Sequence, residues 1–244
     1  MIALITGAGR GIGRAISIAL AAQGIHTILV ARSEDQITGV ANEIVAAGGT
    51  ATPLVCDITD SKSIIELHDE TSRIGKVSIL VNNAGIAPSA KIEDTIDEMW
   101  HKAMATNASA PFYLIRTYLP DMRSLGAGHI INIASTAALD GFSYTAAYTA
   151  SKHAMIGLSR AIAKELFRSK IKVSTICPGF VRTNILETSI ANIMTKTGKE
   201  RGMAEHELGA MNKSGTIIEP EEVARAVLAE LEMPLDPKGR EIIL

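Results

Sequence analysis

A chain of 244 residues is long enough to bury a sizeable core within one α/β domain. A net charge of −2, with 20% of residues charged, leaves no electrostatic footprint for nucleic acid. No apolar run approaches the ~20 residues of a membrane span, and a strand that begins at the second residue leaves no room for a signal peptide, so a cytoplasmic protein is expected.

The chain begins with a strand, a glycine turn and a helix. Ile2–Thr6 is a short apolar β run and Arg14–Leu20 carries helical periodicity. Between them stands Thr6-Gly7-Ala8-Gly9-Arg10-Gly11-Ile12-Gly13. Glycines in that place let the backbone approach a pyrophosphate, and the helix behind them offers unpaired N–H groups and a partial positive charge. The spacing is GxxxGxG; the GxGxxG fingerprint fails because its last glycine would fall on Ile12.

Further along, strand-like runs at His26–Ala31, Thr50–Cys56, Val77–Asn82, His129–Ala134, Ile171–Cys177 and Arg240–Leu244 alternate with amphipathic stretches. Those stretches are Asp35–Ala47, Ser61–Ile74, Ile96–Ser124 and Ala147–Ser169. Strict alternation predicts an α/β fold, a doubly wound parallel sheet with helices on both faces and right-handed crossovers. Uniformly apolar strands suit a sheet covered on both sides. The second strand ends Val30-Ala31-Arg32-Ser33, with no acid at its tip to accept a ribose 2′-hydroxyl. Arg32 can pair instead with a 2′-phosphate, which predicts NADP(H). Cys56 and Cys177 each end an apolar β-like run and are expected as buried free thiols. The histidines show no ligand spacing, so no metal site is expected.

Two further features carry chemistry. Ser135 follows Asn132-Ile-Ala at a strand end, where a parallel sheet forms its ligand crevice. Tyr148 and Lys152 stand four apart on a helix, so phenol and ammonium share one face. An ammonium beside a phenol is expected to bring its pKa from ~10 toward working pH. One stretch then breaks the βα rhythm. Thr183–Gly215 separates the last long strand from the helix signal Glu219-Pro220-Glu221-Glu222, and an insertion of that length reads as a lid.

Taken in order, the glycine turn, Asp57, Asn82-Asn83-Ala84-Gly85, Asn107, Ser135, Tyr148-x-x-x-Lys152 and Pro178-Gly179 closely resemble the short-chain dehydrogenases/reductases of the small, single-domain subgroup. The resemblance covers essentially the whole chain, residues 1–244 with the lid at about 183–215. It implies a Rossmann-type sheet of about seven strands and hydride transfer between a nicotinamide and a carbonyl or alcohol carbon. Tyr148 would then donate the proton in reduction, and Ser135 would orient the carbonyl oxygen. Lys152 would lower the tyrosine pKa and hold the nicotinamide ribose, and Asn107 would hold a water leading to solvent. The cofactor would lie along Gly7, Gly9, Arg10, Gly11, Ile12 and Gly13, with Arg32 and Ser33 near the 2′-phosphate. Asp57 and Ile58 would sit at the adenine, and Asn83, Ala84 and Gly85 beside the adenosine ribose. Pro178, Gly179, Val181 and Thr183 would hold the carboxamide side.

Family members of this kind pair through helices that match Ile96–Ser124 and Ala147–Ser169, which implies a homotetramer or homodimer. Ala150, Ala154, Gly157 and Ala161 on the second helix permit close helix approach, yet small residues also suit packing onto the sheet. The chain stops at Leu244 where relatives continue through a Gly-Gly turn, and Glu232–Lys238 is broken by prolines, so an unusual sheet edge is expected.

The expected activity is NADPH-dependent reduction of a ketone. Phe142, Tyr144 and Phe180 would wall the pocket, with Ala137 and Ala138 leaving room beside Ser135. A lid stripe of Ile190, Ile193 and Met194 followed by Lys196, Lys199 and Arg201 suits an acyl chain ending in the phosphates of coenzyme A or a carrier protein. The most similar family members in this stretch are 3-oxoacyl-thioester reductases. The alternatives are a dehydrogenase of another secondary alcohol, sugar or steroid, and an NADP-sensing regulator without turnover.

Overall fold

The strands are β1 (Ile2–Thr6), β2 (His26–Ala31), β3 (Ala51–Val55), β4 (Ile79–Asn82), β5 (Gly128–Ile133), β6 (Ile171–Cys177) and β7 (Arg240–Ile243). The helices are α1 (Gly11–Ala22), α2 (Glu34–Ala46), α3 (Ser61–Ile74), α4 (Asp97–Met104), α5 (Ala110–Leu125), α6 (Ala146–Glu165), α7 (Asn184–Thr197), α8 (Arg201–Ala210) and α9 (Pro220–Glu232). They come from a computed structural model that describes residues 1–236 and 238–244.

All seven strands pair in parallel, in the order β3-β2-β1-β4-β5-β6-β7. This is the parallel sheet expected from the alternation, in the single-domain Rossmann-type form that the family resemblance implied. Successive side chains point to opposite faces, and both faces are apolar and covered. Ala3 and Ile5 bury against α1, α2 and α9, through Ile16, Leu20, Ile37, Val40, Val223 and Val227. Leu4 faces the other way into a layer made by α3, α5 and α6, with Ile64, Leu114, Tyr118 and Leu166. Strand order reverses between β1 and β4, and the crevice beyond their C-terminal ends is where such sheets bind ligands.

Local signals explain several boundaries. Asp60 caps α3 by accepting the N–H groups of Lys62 and Ser63. Glu219 and Glu222 form a reciprocal capping box around Pro220 at the start of α9. The stretch Ile96–Ser124, expected as one helix, is instead α4 and α5 joined by a π-helical turn over Ala105–Ser109. Pro111 has no N–H for the carbonyl of Asn107, four residues back, so regular α bonding fails there. The N–H of Ala110 reaches Ala105 instead, one residue wider than an α turn.

The sheet edge is regular where prolines led us to expect otherwise: Arg240–Ile243 pair in register with Ser174–Cys177. Pro237 lies outside the described residues. On α6, Gly157 and Ala161 are exposed and Ala154 is partly so, and a Cβ at Gly157 would meet open space. These small residues therefore face outward, not onto the sheet. Ile96, Trp100 and Phe112 are exposed on the neighbouring α4–α5 surface. Among the described residues no helix is long and apolar enough to cross a membrane.

A buried polar chain lies at the opposite end of the sheet from the crevice. His129 on β5 is 3% exposed, and its Nε2 lies 2.9 Å from the Ser174 hydroxyl, which donates to Glu230 at 2.8 Å. Glu230 in turn accepts from Arg240 at 3.1 Å, and among the described residues Nδ1 of His129 has no partner. Burial, helped by Lys172, pushes the His129 pKa down to about 3. An unfolded chain takes up this proton near pH ~6.5, whereas the folded one resists to much lower pH. Stability is therefore complete above the unfolded value and falls as pH drops from there toward the folded value. At pH 4.5 wild type should lose about 2–3 kcal/mol through this group, relative to pH 7.5. Denaturant unfolding at both pH values, compared with His129→Asn, measures it: equal losses in the two proteins would remove the assignment.

Candidate active site

A cleft of about 1660 Å³ opens beyond the C-terminal ends of β1, β4, β5 and β6. The glycine turn forms one end. Gly7 and Gly11 have φ of 66° and 51°, a region that favours glycine. Gly7, Gly9, Arg10, Gly11 and Ile12 line the cleft, as do Arg32, Ser33, Asp57 and Ile58. Gly13 does not. A Cβ there would lie 2.2 Å from the Gly7 carbonyl, so this glycine lets α1 close onto the turn.

Asn83, Ala84 and Gly85 form the next part of the wall. The Asn83 amide is turned back into the protein and donates to the carbonyls of Thr6 at 2.8 Å and Gly7 at 3.3 Å. Thr6 Oγ1 accepts from the backbone of Asn83 and Ala84. The Asp57 carboxylate accepts from the Thr59 hydroxyl at 2.7 Å and backbone at 3.0 Å, and these bonds hold its pKa below the usual range. Among the described residues no carboxylate lies within 4 Å of Arg10 or Arg32; no ion pair includes either.

At the other end, Ser135, Tyr148 and Lys152 converge on the cleft wall. Ser135 Oγ accepts from the Ala137 N–H at 3.1 Å, so it caps a short turn and also faces the cleft. Lys152 is 4% exposed and donates to the Ile133 carbonyl at 2.8 Å; its Nζ lies 5.9 Å from the centre of the Tyr148 ring. Burial brings the Lys152 pKa down to about 8. It also raises the Tyr148 phenol above its ordinary value, opposed by a hydrogen bond from Ser135. The expected lowering of the phenol by Lys152 is thus not what governs it here: desolvation dominates, and the ammonium is engaged by a carbonyl.

Asn107 sits in the π-helical turn, fully buried and away from the cleft surface. Its amide accepts from the Ile86 N–H at 3.0 Å and donates to the Ile86 carbonyl at 2.8 Å and Ser151 at 2.9 Å. In this arrangement it braces the Gly85–Ile86 backbone against α6. Below it, Asn82 donates to Asn132 and Asn132 to Ser159, each at 2.8 Å. This buried chain ties β4, β5 and α6 together; Asn82 stands in the Asn82-Asn83-Ala84-Gly85 motif, but nothing in the sequence marks Asn132 and Ser159 as its partners.

Pro178, Gly179, Val181 and Thr183 line the cleft beside Phe142, Tyr144 and Phe180. Ala137 also lines it, whereas Ala138 packs with Met155, Ile156 and Cys177 in the core. Cys56 and Cys177 are free and buried, and burial raises both thiols to about 11.

The insertion after β6 is two helices, α7 and α8. Leu186 and Ile190 of α7 pack on Ala204 and Leu208 of α8. Of the stripe expected to meet an acyl chain, only Ile193 lines the cleft, alongside Thr188, Ser189, Asn192 and Lys196. Lys199 pairs with Glu207, and Arg201 pairs with Glu187 at 2.8 Å. Lys196 alone of the three cations reaches the cleft, its Nζ 5.3 Å from the Tyr144 ring. Tyr144 has φ of 67°, the one positive value at a non-glycine among the described residues.

A family model described as short chain dehydrogenase matches residues 1–193. A D-beta-hydroxybutyrate dehydrogenase of Rhizobium meliloti is 36% identical over 209 residues, 84% of this chain and 80% of that protein. A 3beta-hydroxysteroid dehydrogenase of Mediterraneibacter gnavus is 36% identical over 197 residues, 80% of this chain and 71% of that one. The crystal structure of an actinorhodin polyketide ketoreductase variant with NADPH superposes with a TM-score of 0.93 at 31% identity, covering 100% of this chain and 95% of that one.

Proposed function

The chain belongs to the short-chain dehydrogenase family of oxidoreductases, and from that premise we propose that it is an NADPH-dependent reductase of a ketone, a 3-oxoacyl thioester, giving the secondary alcohol. The observation that carries this reading is the convergence of Ser135, Tyr148 and Lys152 at one end of a cleft whose other end offers two unpaired arginines. The cleft fits a phosphorylated dinucleotide: the positive-φ glycines bring backbone N–H groups of the α1 N-terminus to its surface, and Arg10 and Arg32 suit a 2′-phosphate.

NADPH, when bound, supplies the hydride. The chain's own part is to hold the ketone and deliver a proton. Ser135 Oγ orients the carbonyl oxygen, and the Tyr148 hydroxyl donates its proton to that oxygen. A phenol raised by burial stays protonated at neutral pH, the form a donor needs. The Lys152 ammonium, set behind the ring by its bond to Ile133, favours the phenolate left after transfer.

The thioester assignment draws on the polyketide ketoreductase likeness and on Lys196 at the mouth, where it can meet a phosphate of coenzyme A or a carrier. Acetoacetyl-CoA should be reduced with higher kcat/KM than a small diketone. Lys196→Ala should raise KM for the thioester about 3–10-fold with little change in kcat, the size expected for one partly exposed charge contact. Lys199→Ala should change neither, because Lys199 is held by Glu207. A simple ketone used equally well, with KM for the thioester untouched in Lys196→Ala, removes this substrate class.

We propose further that the outward small residues of α6 and the apolar residues of α4 and α5 seat a second copy, in a homodimer or homotetramer. Light scattering at micromolar concentration tests this, and a monomer would refute it.

A further inference from the structure

We propose that Asn212, a residue in no motif, is a positioning residue that fixes the Pro178-Gly179-Phe180 turn over the reacting site and couples it to the root of the lid. Asn212 stands just beyond α8 and is 5% exposed. Its Oδ1 accepts the Phe180 N–H at 2.7 Å, and its Nδ2 donates to the carbonyls of Phe180 at 2.9 Å and Thr216 at 2.7 Å. A side chain that bonds both the N–H and the C=O of one residue does the work of a neighbouring strand, at a point where the chain has already left β6. The pairing continues past it: Ile218 donates to Phe180 at 3.0 Å and Arg182 to Ile218 at 2.9 Å.

Gly179 is the other half of the device. A Cβ there would lie 2.0 Å from Asn212 Oδ1, while the φ of Gly179 is not positive. The amide, not the backbone conformation, is what requires glycine. On its far side the turn is held by the Thr136 N–H, which donates to the Pro178 carbonyl at 2.9 Å, one residue after Ser135. The turn is thus clamped between the Ser135 segment and the lid root, and Phe180, Leu208 and Met211 line the cleft around the clamp.

The proposal rests on the ketone-reductase reading for its kinetic consequence, and its test separates the two. Asn212→Ala should lower kcat about 10–100-fold, the scale of a small misplacement of reacting groups, with the dissociation constant of NADPH, read by fluorescence, within about 3-fold. Amide exchange at Phe180 should accelerate about 100-fold, as expected when a local bond is lost without global unfolding. The decisive variant combines Asn212→Ala with Gly179→Ala. With the amide gone, the new methyl lies 3.7 Å from the Asn212 Cβ position, an ordinary contact. The melting temperature should recover above that of Asn212→Ala, while kcat stays low and Phe180 exchange stays fast.

Recovery of kcat together with melting temperature would mean that the amide is only a spacer, and the proposal falls. It falls equally if Asn212→Ala keeps kcat within about 3-fold of wild type, the range of a merely structural change. If wild type turns over no ketone, the functional reading fails, and Phe180 exchange alone decides the clamp: unchanged exchange in Asn212→Ala overturns it.

Discussion

Replacing Tyr148 with phenylalanine should cut kcat by about 10³-fold or more while NADPH affinity stays within about 3-fold of wild type, the signature of losing a proton donor and nothing else. The substitution keeps the ring that Lys152 lies behind, so the ammonium retains its bond to Ile133 and the cleft keeps its shape. Only the hydroxyl beside Ser135 goes. In wild type, reduction should weaken as pH rises past about 8, where Lys152 loses its charge, and weaken further as the phenol ionises. Oxidation of the alcohol should show the opposite slope because it needs the phenolate. Steady-state rates followed by NADPH absorbance, beside a fluorescence titration of the cofactor, give both quantities. Substantial turnover in Tyr148→Phe would assign the proton to another group.

The second large effect concerns cofactor choice. Arg10 and Arg32 line the cleft with no ion pair to a carboxylate among the described residues, and Ala31 at the end of β2 places no carboxylate where a ribose 2′-hydroxyl would be accepted. A charge-assisted hydrogen bond contributes about 1.5–3 kcal/mol, so loss of Arg32 should lower kcat/KM with NADPH about 10–100-fold. Adding Ala31→Asp supplies an acceptor for the 2′-hydroxyl and repels a 2′-phosphate. In the double variant the preference should move toward NADH by about 10²–10³-fold overall. Paired kcat/KM measurements decide it, and equal efficiency with both cofactors in wild type would sink the assignment.

The sheet was legible because short apolar runs alternate with amphipathic stretches: inner strands such as β1 and β4 are almost wholly buried and apolar, while the edge strands β3 and β7, only partly buried, were marked by the alternation. The cleft was legible for a different reason: glycines and strand-end polar residues fall where chain geometry brings them together. What escaped was the set of internal contacts that hold those residues. The stripe on α7 was visible, but an apolar stripe does not name its neighbour, and α8 takes most of it. Gly13 looked like its fellow glycines, yet the carbonyl of Gly7 is what it must clear. Asn212 bonds backbone groups more than thirty residues away, and no local pattern encodes that. Gly179 stood in the sequence only as part of the Pro178-Gly179 pair, and the amide that would meet its Cβ at 2.0 Å is brought there by the fold alone.

The π-helical turn before Pro111 sets a limit on how this protein can be improved. A regular helix is the more stable form of such a segment, and Pro111→Ala is a substitution that any stability-guided redesign would favour. Yet the turn carries one surplus residue, and ironing it out would rotate everything on its N-terminal side by ~100° about the helix axis. Asn107 would swing off the Ile86 backbone, and α4 would slip relative to α6, to which Asn107 is now joined through Ser151. Robustness and competence therefore pull in opposite directions at this one turn, and a thermostable descendant of the chain must gain its stability elsewhere.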